Sequence, residues 1–210
     1  MPLPAPRQCC LPNPLTRRPV HNIAPFTLPP IDQWKAAGAP GQRTYSKWHD
    51  HLSLLACLHM AVFHRDGHAP ALWALLTGAR AFHAFTTGTS TAPTGPHPTA
   101  VTDYIRETHH IPTLDHSDLT PDTTTHLLRE GHLVITQAPH ARTTRAHYLL
   151  LTGQRDDGSI ALCDPAHPDP AALPAHALLP CTTGYSLNLL HLHPHRHRTA
   201  PALLHRALAS

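Results

Sequence analysis

The 210-residue chain has few charged residues, and it lacks the marks of several classes of protein. Asp, Glu, Lys and Arg make up 14 % of the residues, and the net charge is +3 when histidine is neutral. Because Lys and Arg form neither a stripe nor a cluster, we expect no nucleic-acid partner. Residues 1–18 have no apolar stretch like that of a secretory signal, and no apolar run is as long as a membrane span. We therefore expect a cytoplasmic protein without a membrane partner.

The number and spacing of the five cysteines argue against two kinds of stabilising site. The cysteines are odd in number, irregularly spaced and without a Cys-x-x-Cys pair (Cys9, Cys10, Cys57, Cys163 and Cys181). This pattern indicates reduced thiols rather than a disulfide framework, and it disfavours a cysteine zinc site.

Histidine, in contrast, is abundant, with 22 residues. The bias toward Ala, Pro, His, Thr and Arg is typical of a GC-rich genome, so a single histidine carries little weight. Near the C-terminus histidines alternate along the chain (His191, His193, His195 and His197). A metal-binding tail is one interpretation and a low-complexity tract is the other. We favour the second, and we expect neither a metal nor a cofactor.

The composition predicts one folded domain with irregular ends. Apolar residues make up 41 % of the chain, which is enough for a core. Residues 1–30 are rich in proline and lack periodicity, which indicates an extended arm. We therefore divide the chain into a Pro-rich arm (1–30), a folded domain (31–190) and a His-rich tail (191–210).

Hydrophobic periodicity predicts helices first and strands second. The stretch 52–64 is apolar on most faces, so it is expected to be a buried helix, with Asp50 or Ser53 as its N-terminal cap. Gly/Thr/Pro-rich residues 86–100 predict a flexible loop. Further helices are expected at 31–37, 70–85, 99–109 and 122–129, and strands at 132–137, 147–152, 159–163 and about 185–190. This order indicates an α+β domain with helices packed on an antiparallel sheet.

The turn signal Asp157-Gly158 predicts a β-hairpin that brings two polar residues together. If the strand pairs close between Thr152 and Ser159, His147 lies directly opposite Asp164 on one face. Asp164 would then hold one imidazole nitrogen and leave the other to act as a base. The alternative is a surface histidine and an aspartate that only opens a turn, and a one-residue slip would separate the two side chains.

Several sequence blocks occur in the order found in C39-like, papain-fold cysteine peptidases. Residues 53–61, SLLACLHMA, resemble the Cys-Gly-x-Ala-Cys-Leu-x-Met-hydrophobic signature of that family. Upstream, QWKAAGAP at 33–40, followed by Tyr45 and Trp48, resembles the Trp-x-x-x-Gly-Ala-Pro lead-in of actinobacterial members. Downstream, residues 128–134 resemble the strand that precedes the family's catalytic histidine, and residues 146–153 resemble the strand that carries it. Residues 157–165 resemble the hairpin that ends in Asp/Asn-Pro.

The resemblance implies a papain-like fold that acts on a peptide or protein substrate, with Ser53, His147 and Asp164 at the catalytic positions. The sequence departs from the family signature at two adjacent positions, where the family has Cys-Gly and this chain has Ser53-Leu54. The family's glycine before the histidine is Ala146, and its oxyanion-stabilising glutamine has no clear equivalent. Asn22, Gln33 and Gln42 are the candidates for that role.

Three interpretations of the altered centre follow. In the first, Ser53 attacks with His147 as base and Asp164 orienting it. In the second, Cys57 is the nucleophile, although burial would raise its pKa. In the third, which we favour, catalysis is lost and the cleft binds peptides as a pseudo-peptidase. An acyl transferase on the same fold is a further alternative, and oligomeric state stays open.

Overall fold

The computed structural model describes residues 21–87, 92–116, 119–138, 147–178 and 186–189, and within them it contains helices and antiparallel sheets. The predicted α+β class is therefore confirmed. The α-helices are α1 (Gln42–Trp48), α2 (Ser53–Asp66), α3 (Leu72–Ala81), α4 (Pro98–His109) and α5 (Pro121–Arg129). The strands are β1 (Thr86–Thr87), β2 (Pro93–Thr94), β3 (Thr113–His116), β4 (Leu133–Ala138), β5 (His147–Gln154), β6 (Ile160–Cys163), β7 (Ala171–Leu173) and β8 (Ser186–Leu189). No helix in these ranges is long and apolar enough to cross a membrane.

Helix α2 forms the centre of the fold. Nine of its fourteen residues are buried, which confirms the buried helix predicted from its apolar faces. It ends at Gly67, whose φ of 75° is the left-handed conformation in which glycine commonly terminates helices. The predicted cap is wrong: Leu52 precedes the helix without a side-chain cap, and Ser53 is already helical.

Helix α2 packs against the main sheet, whose strand order is β3-β8-β4-β5-β6-β7. Side chains of β5 alternate between the two faces, as the period of a strand requires. Tyr148 and Leu150 join the core around α2, whereas Leu149 and Leu151 join a second apolar cluster with Leu128 of α5. The sheet is thus covered on both faces, and α2 is held firmly against β5.

The β5–β6 hairpin differs from the predicted register. Leu150 pairs with Cys163 and Leu151 with Leu162, and a bulge lies between Leu151 and Gly153. The predicted register, which closes between Thr152 and Ser159, would pair Leu150 with Ala161. The observed partner of Leu150 lies two residues further along β6. Because side chains alternate with a period of two, the offset leaves residues 147 and 164 on one face, diagonal to each other.

Residues 21–30, which we call the strap, contain no helix or strand and pack on the rest of the domain. His21 N–H donates to the carbonyl oxygen of Thr152 at 3.1 Å, and Leu28 N–H donates to that of Pro165 at 2.9 Å. Ile23, between them, is buried in the main core. The remaining arm residues 1–20 and the predicted tail 191–210 lie outside the described ranges.

Other differences from the prediction are local. Helix α1 was not predicted, and the predicted helices at 31–37 and 70–85 are shorter, with a 3₁₀ turn at Ile31–Gln33 and α3 at Leu72–Ala81. The two-residue strands β1 and β2 pair within the stretch predicted to be a flexible loop. Strands β3 and β7 were also missed, because each is short and lies at an edge of the sheet.

Candidate site at the start of helix α2

Three segments meet where helix α2 begins: the first turn of α2, the start of β5, and the turn after β6. Ladder pairing between β5 and β6 ends at Leu150 and Cys163. Beyond that pair the chain turns at residues 164–167, with His167 N–H donating to the Asp164 carbonyl oxygen at 2.9 Å. Among the described residues, no strand pairs with the start of β5 on the β6 side, and α2 contacts β5 there through the Ser53 hydroxyl, which accepts the Tyr148 N–H.

His147 and Asp164 form a close pair at this junction. Nε2 of His147 lies 2.7 Å from Oδ1 of Asp164, and their side chains are 14 % and 18 % exposed. Because an ionised carboxylate only accepts hydrogen bonds, Nε2 carries the proton, and in the neutral ring Nδ1 is then the acceptor nitrogen. The sequence placed these two residues on one hairpin face, and the structure brings them into hydrogen-bond contact.

The Asp164 carboxylate is stabilised in its ionised form. Burial by itself would raise its pKa, but hydrogen bonds from His147 and from the Ala166 N–H, together with the charges of His147 and His167, lower it below the ordinary value. The Ala166 N–H lies 2.8 Å from Oδ1, and Nε2 of exposed His167 lies 3.9 Å from Oδ2. The carboxylate therefore orients His147 and remains charged near neutral pH.

Ser53 lies next to Tyr148, the residue that follows His147, and its hydroxyl bonds to the backbone there. Its Oγ accepts a hydrogen bond from the backbone N–H of Tyr148 at 3.2 Å, and the residue is only 4 % exposed. No hydrogen bond links Ser53 to His147 within the described residues. The structure thus brings Ser53 next to the residue that follows His147, without a serine–imidazole hydrogen bond.

Cys57 lies one helical turn beyond Ser53 and contacts the same residue of β5. Its thiol donates to the Tyr148 carbonyl oxygen at 3.5 Å, and the side chain is fully buried. Burial raises the pKa of this thiol, and the nearby Asp164 and Cys163 raise it further. A buried, protonated thiol is poorly suited to act as a nucleophile, which disfavours the Cys57 interpretation.

The neighbouring positions bear on the other predicted roles. Leu54 is fully buried, so its side chain belongs to the core. Asn22, Gln33 and Gln42 are exposed, and in the described ranges none of their side chains bonds to Ser53, His147 or Asp164. Ala146 lies outside those ranges.

The described residues contain no group of three or more His, Cys, Asp or Glu side chains placed to hold a metal ion. His49 and Asp50, just before α2, pair with each other at 3.4 Å between Nδ1 and Oδ1. The alternating histidines of the tail, together with Cys9, Cys10 and Cys181, lie outside the described ranges.

Sequence reasoning missed the part that the Tyr148 backbone plays in this site. Its N–H and carbonyl are bonded by two side chains of α2 that lie one turn apart, Ser53 and Cys57. The four-residue spacing of these two small polar residues was the available signal, because it places both on one helix face.

No family model matches the chain, and no curated protein matches it.

Proposed function

We propose that this chain is a papain-like protein related to C39-like peptidases that binds peptides at the start of α2 without cleaving them. One observation carries the proposal: Ser53, at the position of the family's nucleophile, is buried and its Oγ accepts the Tyr148 N–H at 3.2 Å. In this interpretation Ser53 anchors the start of α2 to β5 rather than attacking a carbonyl.

The chemistry of serine supports this interpretation. A thiolate–imidazolium pair needs a nucleophile whose pKa falls toward neutrality. A helix N-terminus can lower the pKa of a thiol that far, but it cannot do so for the pKa of a hydroxyl. A serine nucleophile therefore needs a base in hydrogen-bond contact and a formed oxyanion site. Ser53 makes no hydrogen bond to His147 in the described part of the chain, and buried Leu54 adds bulk where the family has glycine.

The His147–Asp164 pair supplies the binding chemistry. An oriented imidazole offers an acceptor or a donor to a peptide backbone. Because the carboxylate already holds the ring in place, less conformational entropy is lost when a peptide binds. We propose a peptide or a peptide segment of a protein as the partner, with no cofactor. Free Cys57 and Cys163 support a reducing, cytoplasmic location as part of the same proposal.

The proposal is tested by selecting peptide ligands and measuring both binding and cleavage. Twelve-residue peptides selected by phage display on the natural protein are synthesised with a fluorescein label and titrated by fluorescence anisotropy. We expect binding that His147→Ala weakens about tenfold or more, because removing one partner of a buried hydrogen bond costs about 1–3 kcal/mol, whereas His126→Ala on the exposed face of α5 leaves it unchanged. Mass spectrometry should recover the peptides intact. Binding that is unchanged in His147→Ala, or peptides cut in a Ser53-dependent manner, would contradict the proposal.

The second candidate is a serine hydrolase, or an acyl transferase that works through the same acyl-enzyme. The 2.7 Å His147–Asp164 contact favours it, because that pair is the base and its orienting group in such enzymes. Both versions require a covalent intermediate on Ser53, so a serine-directed probe separates them from a binding protein.

A further inference from the structure

The strap lies on two histidines of α2. The ring of Phe26 packs on His59 with ring centroids 4.3 Å apart, and the ring of His21 meets His64 edge-on at 5.2 Å. Both α2 histidines are partly buried. The contacts of the strap with α2 therefore include two groups that can acquire a positive charge.

The surroundings of both rings favour the neutral form. Nε2 of His64 is buried and has no hydrogen-bond partner among the described residues. Burial lowers the pKa of His64, and the nearby His21 lowers it further. Burial also lowers the pKa of His59, although its hydrogen bond with the Pro70 carbonyl, 3.0 Å from Nδ1, partly opposes this.

The charged and titratable groups near His64 come from several elements. On α2 itself Arg65 and Asp66 follow, joined to each other at 2.6 Å. From α4, the carbonyl of His109 accepts from Arg65 at 2.7 Å, and burial followed by the Arg65 charge lowers the pKa of His109. On the sheet side, His21 Nε2 lies 3.2 Å from the Gly131 carbonyl, and buried His132 follows that residue.

The far end of the strap is joined to the turn that carries Asp164. Leu28 N–H donates to the carbonyl oxygen of Pro165, the residue after Asp164, at 2.9 Å. Next to it, the Tyr45 hydroxyl donates to the Pro29 carbonyl at 2.7 Å. A strap that leaves α2 would place strain on these bonds, so its position and that of the Asp164 turn are linked.

We propose that the strap is an acid-released device: protonation of His59 and His64 detaches residues 21–30 from α2 and loosens the turn that orients His147. The effect of strap release on peptide binding rests on the proposed function, whereas the release itself does not depend on that function. The site would thus be held rigid at neutral pH and freed as the surroundings acidify.

The direction follows from proton linkage. Released histidines regain an ordinary pKa of about 6.5, whereas in the closed form the pKa values of His59 and His64 are lower. The released form therefore binds more protons, and the closed form loses stability as the pH falls from about 6.5 through the lowered values. A difference of one pKa unit at one histidine changes the closed-to-released ratio by about tenfold.

The test is amide hydrogen exchange on the full chain without a peptide, comparing protection factors at pH 7.5 and pH 5.0. Two reporters are the strap amides of His21 and Leu28, and the reference is the Leu150 amide in β5. We expect strap protection to fall about tenfold or more at pH 5.0 while Leu150 stays protected. Strap protection that is unchanged with pH, or a fall shared equally by Leu150, would overturn the proposal.

A matched pair of double variants identifies the histidines responsible. His59→Gln with His64→Gln should remove the pH response, whereas His97→Gln with His126→Gln, both exposed, should keep it. If the first pair destabilises the strap already at pH 7.5, each single variant replaces it and should remove part of the response. A full response in the His59/His64 variants, or its loss in the control pair, contradicts the assignment. Because no peptide is present, a failure of peptide binding leaves this result unaffected.

Discussion

Oγ of Ser53 accepts the backbone N–H of Tyr148 at 3.2 Å, which joins the first residue of α2 to β5 immediately after His147. The two residues are 95 positions apart in the chain, so this bond fixes a long-range contact. It also gives the hydroxyl a structural role, at the position that the resemblance to C39-like peptidases would assign to the nucleophile.

Ser53→Ala should therefore destabilise the protein. The substitution leaves the buried Tyr148 N–H without its acceptor, which costs about 1–3 kcal/mol. Urea unfolding followed by circular dichroism measures the loss. Ser46→Ala, on the exposed side of α1, is the matched control and should stay within about 0.5 kcal/mol of the natural protein. Equal stability of the Ser53 and Ser46 variants would show that the contact contributes little.

Asp164→Asn should remove a pH-dependent part of the stability. The pKa of Asp164 is lower in the folded protein than its ordinary value of about 3.9, so its contribution is present above that value and lost as the pH falls through the folded pKa. We expect the natural protein to be more stable than the variant by about 1–3 kcal/mol at pH 7, with a smaller difference at pH 3. Thermal unfolding across this range measures both. Asp169→Asn, exposed on the same connection, should show neither effect, and a difference that grows toward pH 3 would contradict the prediction.

Leu54→Gly should be strongly destabilising, although the C39-like signature that the sequence resembles has glycine at this position. Removing a fully buried leucine costs about 2–5 kcal/mol, and glycine inside a helix costs about 1 kcal/mol more. Chemical denaturation measures the total. Ala74→Gly, exposed on α3, isolates the backbone part and should lose only about 1 kcal/mol. Equal losses in the two variants would mean that Leu54 does not pack as the structure indicates.

The thiols of Cys57 and Cys163 should be unreactive in the folded protein. Burial raises the pKa of both, so little thiolate exists at neutral pH, and neither side chain is open to solvent. Iodoacetamide labelling followed by peptide mass spectrometry should modify these two residues only in denaturant. Ser46→Cys provides an exposed thiol for comparison. Labelling of Cys57 as fast as the exposed thiol of the Ser46→Cys variant would contradict the prediction and would favour Cys57 as a nucleophile.

The sequence was informative where local pattern decides the structure. Helix α2 was predicted from its apolar faces, and the hairpin was predicted from Asp157-Gly158. Helix α1 was missed because its seven residues have little periodicity and depend on the burial of Tyr45 and Trp48 against the domain.

The site was predictable only in part. His147 and Asp164 were paired because side chains of a strand alternate with a period of two, which puts both on one face. A two-residue error in register does not change the face, so the pairing was correct. The role of Ser53 could not be foreseen, because whether its hydroxyl meets an imidazole or a backbone N–H depends on how α2 docks on β5. That docking is set by core packing, which leaves no local signal in the sequence.

The most direct test of the central claim is mass spectrometry of the protein after incubation with a fluorophosphonate probe at pH 7.5. We predict no adduct on Ser53, because its hydroxyl is buried and accepts the Tyr148 N–H instead of bonding to His147. An adduct on Ser53 that disappears in Ser53→Ala and in His147→Ala would contradict it and identify a working serine nucleophile.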